Sequence, residues 1–166
     1  LFPTLNGKVI IVSSQTNESI RNISVDPDSQ FNNIISLNVI DNSQTLIVAS
    51  PNKVVSISSK EIITKNYEVR DIIVNKEDIY VATIDGQLIK LSASLNEVKS
   101  KKYKYAKFHA LAFTDSLYAV ESQGFLVNIN SDFSKDSVYD FSFDNEERMI
   151  AIGNRIYFDS KYITLP

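Results

Sequence analysis

The stretch IYVATIDGQLIKLSASLNEV, residues 79–98, decides how the rest of the chain is read. A β-branched and aromatic run, 79–83, leads into Asp85-Gly86, whose second residue tolerates the left-handed backbone of a tight hairpin. A second apolar run, 87–91, follows, and Asn96 marks another turn. The same grammar returns at Asn6-Gly7, Pro51-Asn52, Gln123-Gly124 and Gly153-Asn154, each flanked by short β-forming runs. With Gly7, Asn52, Gly86, Gly124 and Asn154 as equivalent corners, the intervals are 45, 34, 38 and 30 residues, a period of about 37 with uneven loops.

Each repeat carries the same set of strands. TLIVAS (45–50), DIYVAT (78–83), SLYAVES (116–122) and RMIAIG (148–153) precede the last four corners. KVIIVS (8–13), KVVSIS (53–58), QLIKLS (87–92), FLVNIN (125–130) and RIYFD (155–159) follow the corners. A further strand precedes each pair, at 35–40, 70–75, 109–114 and 139–143, and a more polar one follows, as at 61–66 and 97–103. The second strand is nearly continuous apolar sequence, which suits burial on both faces, whereas the fourth is polar and rich in lysine, which suits an outer edge. No segment has a sustained helical stripe with caps; 92–102, the best by propensity, alternates too evenly. The expected fold is all-β, with β-propeller blades of four antiparallel strands. The expected blades span 1–25 (incomplete), 31–69, 70–106, 107–138 and 139–166, about four and a half in all. The chain starts at Leu1 and opens with the third and fourth strands of a repeat, while its last repeat closes on its own fourth strand. That arrangement is expected of the C-terminal part of a larger propeller, or of copies that self-associate to hide exposed blade edges.

Composition narrows the functions. At 166 residues the chain can bury about two thirds of its unfolded surface, enough for a true core. Apolar residues come in bursts of a few, none long enough for a transmembrane segment. The formal net charge of −3 gives no general attraction for phosphate backbones. The run KSKKYKYAK, 99–107, has the look of a nucleic-acid strip, but its place on an outer strand of an acidic protein favours a protected edge, and no nucleic-acid partner is expected. Without cysteine, disulfides, thiolate metal sites and cysteine nucleophiles are excluded.

Catalytic constellations are thin. His109, the one histidine, lies in the alternating strand FHALAF and reads as a satisfied structural residue rather than a general base. The carboxylate groups at 26–30 and 144–148 lack EF-hand ligand spacing and read as solvated turns. No Gly-x-Ser-x-Gly elbow or phosphate-cradling glycine loop is present. The sequons at Asn17 and Asn22 carry little weight in a chain so rich in Asn and Ser. No catalytic, cofactor-binding or metal residue is assigned, and the partner-binding surface stays unassigned.

Residues 79–99 resemble the repeat of the pyrroloquinoline-quinone-like propeller family. Thr83, Asp85, Gly86, Leu91 and Ala93 match its pattern; Ser92 replaces an Asp, Asn96 a Gly, and Ser100 stands at a Trp position. Residues 3–21 are similar to the same segment, with Asn6-Gly7 at the corner. Within that family the chain looks most like the non-enzymatic lipoproteins that assist outer-membrane β-barrel assembly. The resemblance implies a non-catalytic protein-binding scaffold, periplasmic or anchored to the outer membrane, with the assembly machinery as partner and no cofactor. The alternative is an accessory redox or small-ligand-binding propeller of the periplasm. A cytoplasmic WD-type propeller finds no Gly-His or Trp-Asp signature. The family's quinone-dependent dehydrogenases use an adjacent cysteine pair and a tryptophan under the cofactor, and this chain has neither residue type. Lacking tryptophan, the blades are expected to pack through Leu, Ile, Tyr and Phe.

Overall fold

Residues 1–4, 7–25, 34–40, 44–140, 149–158 and 161–165 are described by a computed structural model. The carboxylate groups at 26–30 and 144–148 lie outside them. Every regular element among the described residues is a strand, and each pairing is antiparallel between sequence neighbours. The first sheet comprises β1 (Phe2–Pro3), β2 (Lys8–Val12) and β3 (Ser19–Ser24). The second comprises β4 (Ser36–Ile40), β5 (Thr45–Ser50), β6 (Lys53–Ile57) and β7 (Ile62–Asn66). The third runs through β8 (Val69–Asn75), β9 (Asp78–Thr83), β10 (Gln87–Leu91) and β11 (Glu97–Lys102). The fourth runs through β12 (Phe108–Phe113), β13 (Leu117–Glu121), β14 (Phe125–Ile129) and β15 (Lys135–Asp140). The last holds β16 (Met149–Ile152), β17 (Arg155–Phe158) and β18 (Lys161–Thr164). Serial four-stranded meanders of this kind are the blades of a partial β-propeller.

Two strands depart from the sequence reading. The opening sheet keeps a two-residue remnant of its second strand: Phe2 and Pro3 pair with Ile10 and Val9. Tyr139 and Asp140, expected to begin a new repeat, instead extend β15, pairing with Leu126 and Phe125. A bulge in the β14–β15 ladder shifts its register, and an alternating sequence cannot reveal which of two neighbours a strand will join.

The corners confirm the repeat. In the sheets around Gly7 and Gly86 a threonine hydroxyl braces the turn: Lys8 N donates to Thr4 Oγ1 (3.1 Å), and Gln87 N donates to Thr83 Oγ1 (2.9 Å). The residue just beyond each fourth strand then donates its amide to the corner carbonyl. Val25 reaches Gly7 (2.8 Å), Tyr67 reaches Asn52 (3.1 Å), Tyr103 reaches Gly86 (3.0 Å) and Leu165 reaches Asn154 (2.8 Å). One backbone bond therefore recurs at four of the five corners chosen from sequence.

The contacts divide the described chain into two units, Leu1–Val69 with Ala93–Asn96, and Arg70–Ser92 with Glu97–Pro166. In the first, Val9 and Ile23 of the opening sheet pack with Leu46, Val48, Val55 and Ile57 of the second. Ser56 Oγ also donates to Ala93 O (2.6 Å). In the second unit β13 shows why middle strands are apolar throughout. Leu117 and Ala119 face the sheet of β8–β11 through one cluster, while Tyr118 and Val120 face the last sheet through another. Leu, Ile, Tyr and Phe share the packing expected of them: Leu88, Leu117 and Ile129 lie in one cluster with Tyr80, Phe108 and Phe133, where Tyr80 stacks on Phe113 at 5.9 Å and Tyr103 meets Phe108 edge-on at 4.8 Å.

Turns between third and fourth strands use residues that composition does not flag. Leu95 (φ 55°) and Phe133 (φ 65°) take left-handed backbone, a conformation costing about 1–2 kcal/mol for an ordinary residue. The turn expected at Asn96 thus bends at Leu95. Both side chains are 1% exposed, so burial of a large apolar group offsets the backbone strain. Phe133→Ala is expected to lower unfolding stability by about 3–5 kcal/mol, read as a reduced urea midpoint with little change in slope.

Candidate functional site

The most chemically distinctive surface of the second unit lies where β11 passes into β12. Five of the nine residues 99–107 are lysines and two are tyrosines. Strand β11 ends at Lys102, so residues 103–107 form a connection and not the continuous edge strand that sequence alone suggests.

The first lysines are already engaged. Lys99 Nζ donates to Ser131 O (3.0 Å) and Lys101 Nζ to Phe133 O (2.8 Å), the latter carbonyl also accepting from Tyr103 Oη (2.6 Å). They tie the outer strand to the β14–β15 turn of the next sheet. Burial pushes the Tyr103 phenol well above its ordinary range, with the Asp132 and Glu121 carboxylates adding to the effect, so it remains a donor. Lys102 pairs with Asp85 at 2.6 Å. Hydrogen bonds from Lys102 and then Thr83 hold the Asp85 carboxyl below its usual range. A stretch that reads as a cationic strip therefore serves mostly as surface fastening between the outer strand and neighbouring turns, in keeping with the edge reading.

Lys104, Tyr105 and Lys107 are different. Tyr105 is 78% exposed, and Lys104 Nζ sits 4.9 Å from its ring centroid. Neither Lys104 nor Lys107 forms an ion pair among the described residues. Around them opens a cavity of about 480 Å³, reached also by Asp85, Lys102 and Ser122. The loop is pinned at both ends: Tyr103 N donates to Gly86 O (3.0 Å), and Ser122 N donates to Lys107 O (2.8 Å). Gly86 (φ +87°) admits this approach, since a Cβ there would stand 2.9 Å from Ala106 O.

His109 lies on β12, half buried, with its buried Nδ1 lacking a hydrogen bond among the described residues, contrary to a fully satisfied side chain. Burial lowers its pKa, and the cations Arg70 and Lys107 lower it further, the reverse of the carboxylate pairing that orients a histidine base. Ser100, at the family's tryptophan position, donates to Glu97 Oε1 (2.5 Å) within the same outer strand. Among the described residues no group of three or more His, Cys, Asp or Glu side chains gathers as a metal site. Among the described residues no helix is long and apolar enough to cross a membrane.

The repeated meanders, the corner bonds and an exposed basic-aromatic loop describe a β-propeller with a surface suited to macromolecular contact. No protein-family model matches the chain. It is 28% identical over 177 residues to Plasminogen-binding protein PgbB of Helicobacter pylori strain J99 / ATCC 700824, covering 98% of this chain and 32% of that protein. The protein of the same name from strain ATCC 700392 / 26695 is 28% identical over 176 residues, with the same coverage. The chain thus spans about a third of the length of these relatives. Among solved structures it is similar to BamB from Moraxella catarrhalis, with TM-score 0.69, 12% identity and coverage of 95% of this chain and 50% of that one. The Neurospora crassa Pan2 WD40 domain gives TM-score 0.67 at 11% identity, over 83% and 45%. At such identities these two likenesses concern the fold alone. The fold likeness to BamB agrees with the propeller repeat read at 79–99, whereas the sequence relatives are named for plasminogen binding and not as assembly lipoproteins.

Two outcomes are expected. Lys102→Ala should raise the Asp85 titration midpoint toward the ordinary aspartate range in carboxyl-detected NMR, because the lowering depends first on that hydrogen bond. The stabilisation linked to Asp85 is present above its unfolded-state pKa and fades as pH falls through the lowered one, so the variant should lose less stability on acidification. Gly86→Ala should cost about 1–3 kcal/mol in denaturant titration, through strained backbone and the clash with Ala106 O.

Proposed function

We propose that this chain is part of a non-catalytic, protein-binding β-propeller of a bacterial cell envelope, with plasminogen the first partner to test. The observation that carries the reading is the sequence likeness, through 98% of the chain, to two proteins named for binding plasminogen. A scaffold suits the local chemistry. The lysines and carboxylates nearest the basic loop serve mainly as fasteners between strands, leaving an exposed Lys-Tyr-rich patch on a pinned loop. A tyrosine on backbone that is already held offers contact area with little entropy lost on binding, and the neighbouring lysines add charge.

An envelope location and a lipoprotein anchor belong to this proposal, supported by the family resemblance at 79–99 and by the bacterial relatives. Barrel-assembly machinery is a less favoured partner, because the likeness to BamB is one of fold. Surface plasmon resonance over immobilised plasminogen should show saturable binding by the folded chain. Absence of saturable binding would overturn plasminogen as partner. Recovery of a tightly bound redox group or small ligand from the purified protein by mass spectrometry would favour the ligand-binding alternative.

A further inference from the structure

The geometry points to the connection 103–107 and its adjoining cavity as a receptor for an acidic peptide segment, one presenting several Asp or Glu side chains. This rests on the protein-binding reading above and names the surface and the chemistry of what it takes.

The charge of the chain as a whole is −3, yet the cavity is lined by Lys102, Lys104 and Lys107 against a single carboxylate, Asp85. That carboxylate is already neutralised by Lys102 at 2.6 Å and accepts from Thr83 Oγ1 at 2.5 Å. Two ammonium groups, on Lys104 and Lys107, are left without an anionic partner among the described residues. Tyr105, 78% exposed beside Lys104, supplies an apolar face and a phenol hydroxyl to the same mouth. Backbone bonds at Tyr103 and Lys107 fix the main chain of the loop before any ligand arrives, so the ordering cost falls on the side chains alone.

The alternatives fit less well. A nucleic-acid strand tracks a continuous cationic groove, and here Lys99 and Lys101, which would extend it along β11, are committed to Ser131 and Phe133 carbonyls. A cavity of about 480 Å³ admits a few side chains, not a tracked length of strand. Short acidic segments of a protein match both the size and the sign.

Fluorescence anisotropy of a labelled peptide of alternating glutamate and glycine, titrated with the full chain, tests this directly. Binding should weaken as salt rises from about 0.05 to about 0.5 M, as expected of exposed charges. It should fall by about tenfold, equivalent to about 1.4 kcal/mol, in Lys104→Glu/Lys107→Glu with the circular dichroism spectrum unchanged. If that variant fails to fold, Lys104→Gln/Lys107→Gln should show a smaller loss in the same direction. A matched lysine-glycine peptide should not bind. Equal binding by wild type and both variants, equal binding of the lysine peptide, or tighter binding of single-stranded oligothymidylate would each overturn the inference, the last in favour of nucleic acid. Plasminogen binding by wild type without any binding of the glutamate peptide would sink this site and leave the protein-binding reading standing. Binding of the glutamate peptide without plasminogen would do the reverse for that partner.

Discussion

The structure depends on one constraint: a sheet whose middle strand is apolar on both faces must be covered on both. In β13, Leu117 and Ala119 enter one cluster while Tyr118 and Val120 enter another, so the strand's two side-chain rows are buried in opposite directions. A single sheet cannot meet that demand, and repetition does. The buried middle strands β5 and β9 have the same character, whereas the outer strands β7 and β11 are exposed and polar. Propeller repetition answers the hydrophobic problem posed by each middle strand and leaves the outer strand to manage water.

Outer strands then acquire a second task. Without tryptophan to bridge neighbouring sheets, β11 reaches the next turn through lysine: Lys99 and Lys101 bond the carbonyls of Ser131 and Phe133, and Tyr103 shares the latter. Phe133 is held by its buried ring and by a carbonyl that accepts two hydrogen bonds, which together offset its left-handed backbone. Charge that would look like a ligand strip is spent on the fold, and the residual charge at Lys104 and Lys107 stands out for that reason.

The period, the apolar second strands and the corner positions were legible because each is written in local sequence. Asp85-Gly86 between two β-forming runs signals a hairpin locally, and TLIVAS, short and apolar beside the Pro51-Asn52 corner, suits a strand covered on both faces. Leu95 and Phe133 were not legible as left-handed residues, since only tertiary burial makes an aliphatic or aromatic side chain worth that backbone. Nor was the extension of β15 through Tyr139 and Asp140, since alternating sequence does not say which neighbouring strand those residues join. Of the candidate surface, the lysine–tyrosine run was visible, but which lysines were engaged was not. Their partners lie about 30 residues away in sequence, at 131 and 133.

Native-state hydrogen exchange tests the two-faced burial most directly, strand by strand. Amides of β5, β9 and β13, bonded on both sides and covered on both faces, should exchange slowest, with β7 and β11 faster by orders of magnitude. Protection equal across inner and outer strands, or slowest exchange in β7 and β11, would contradict it.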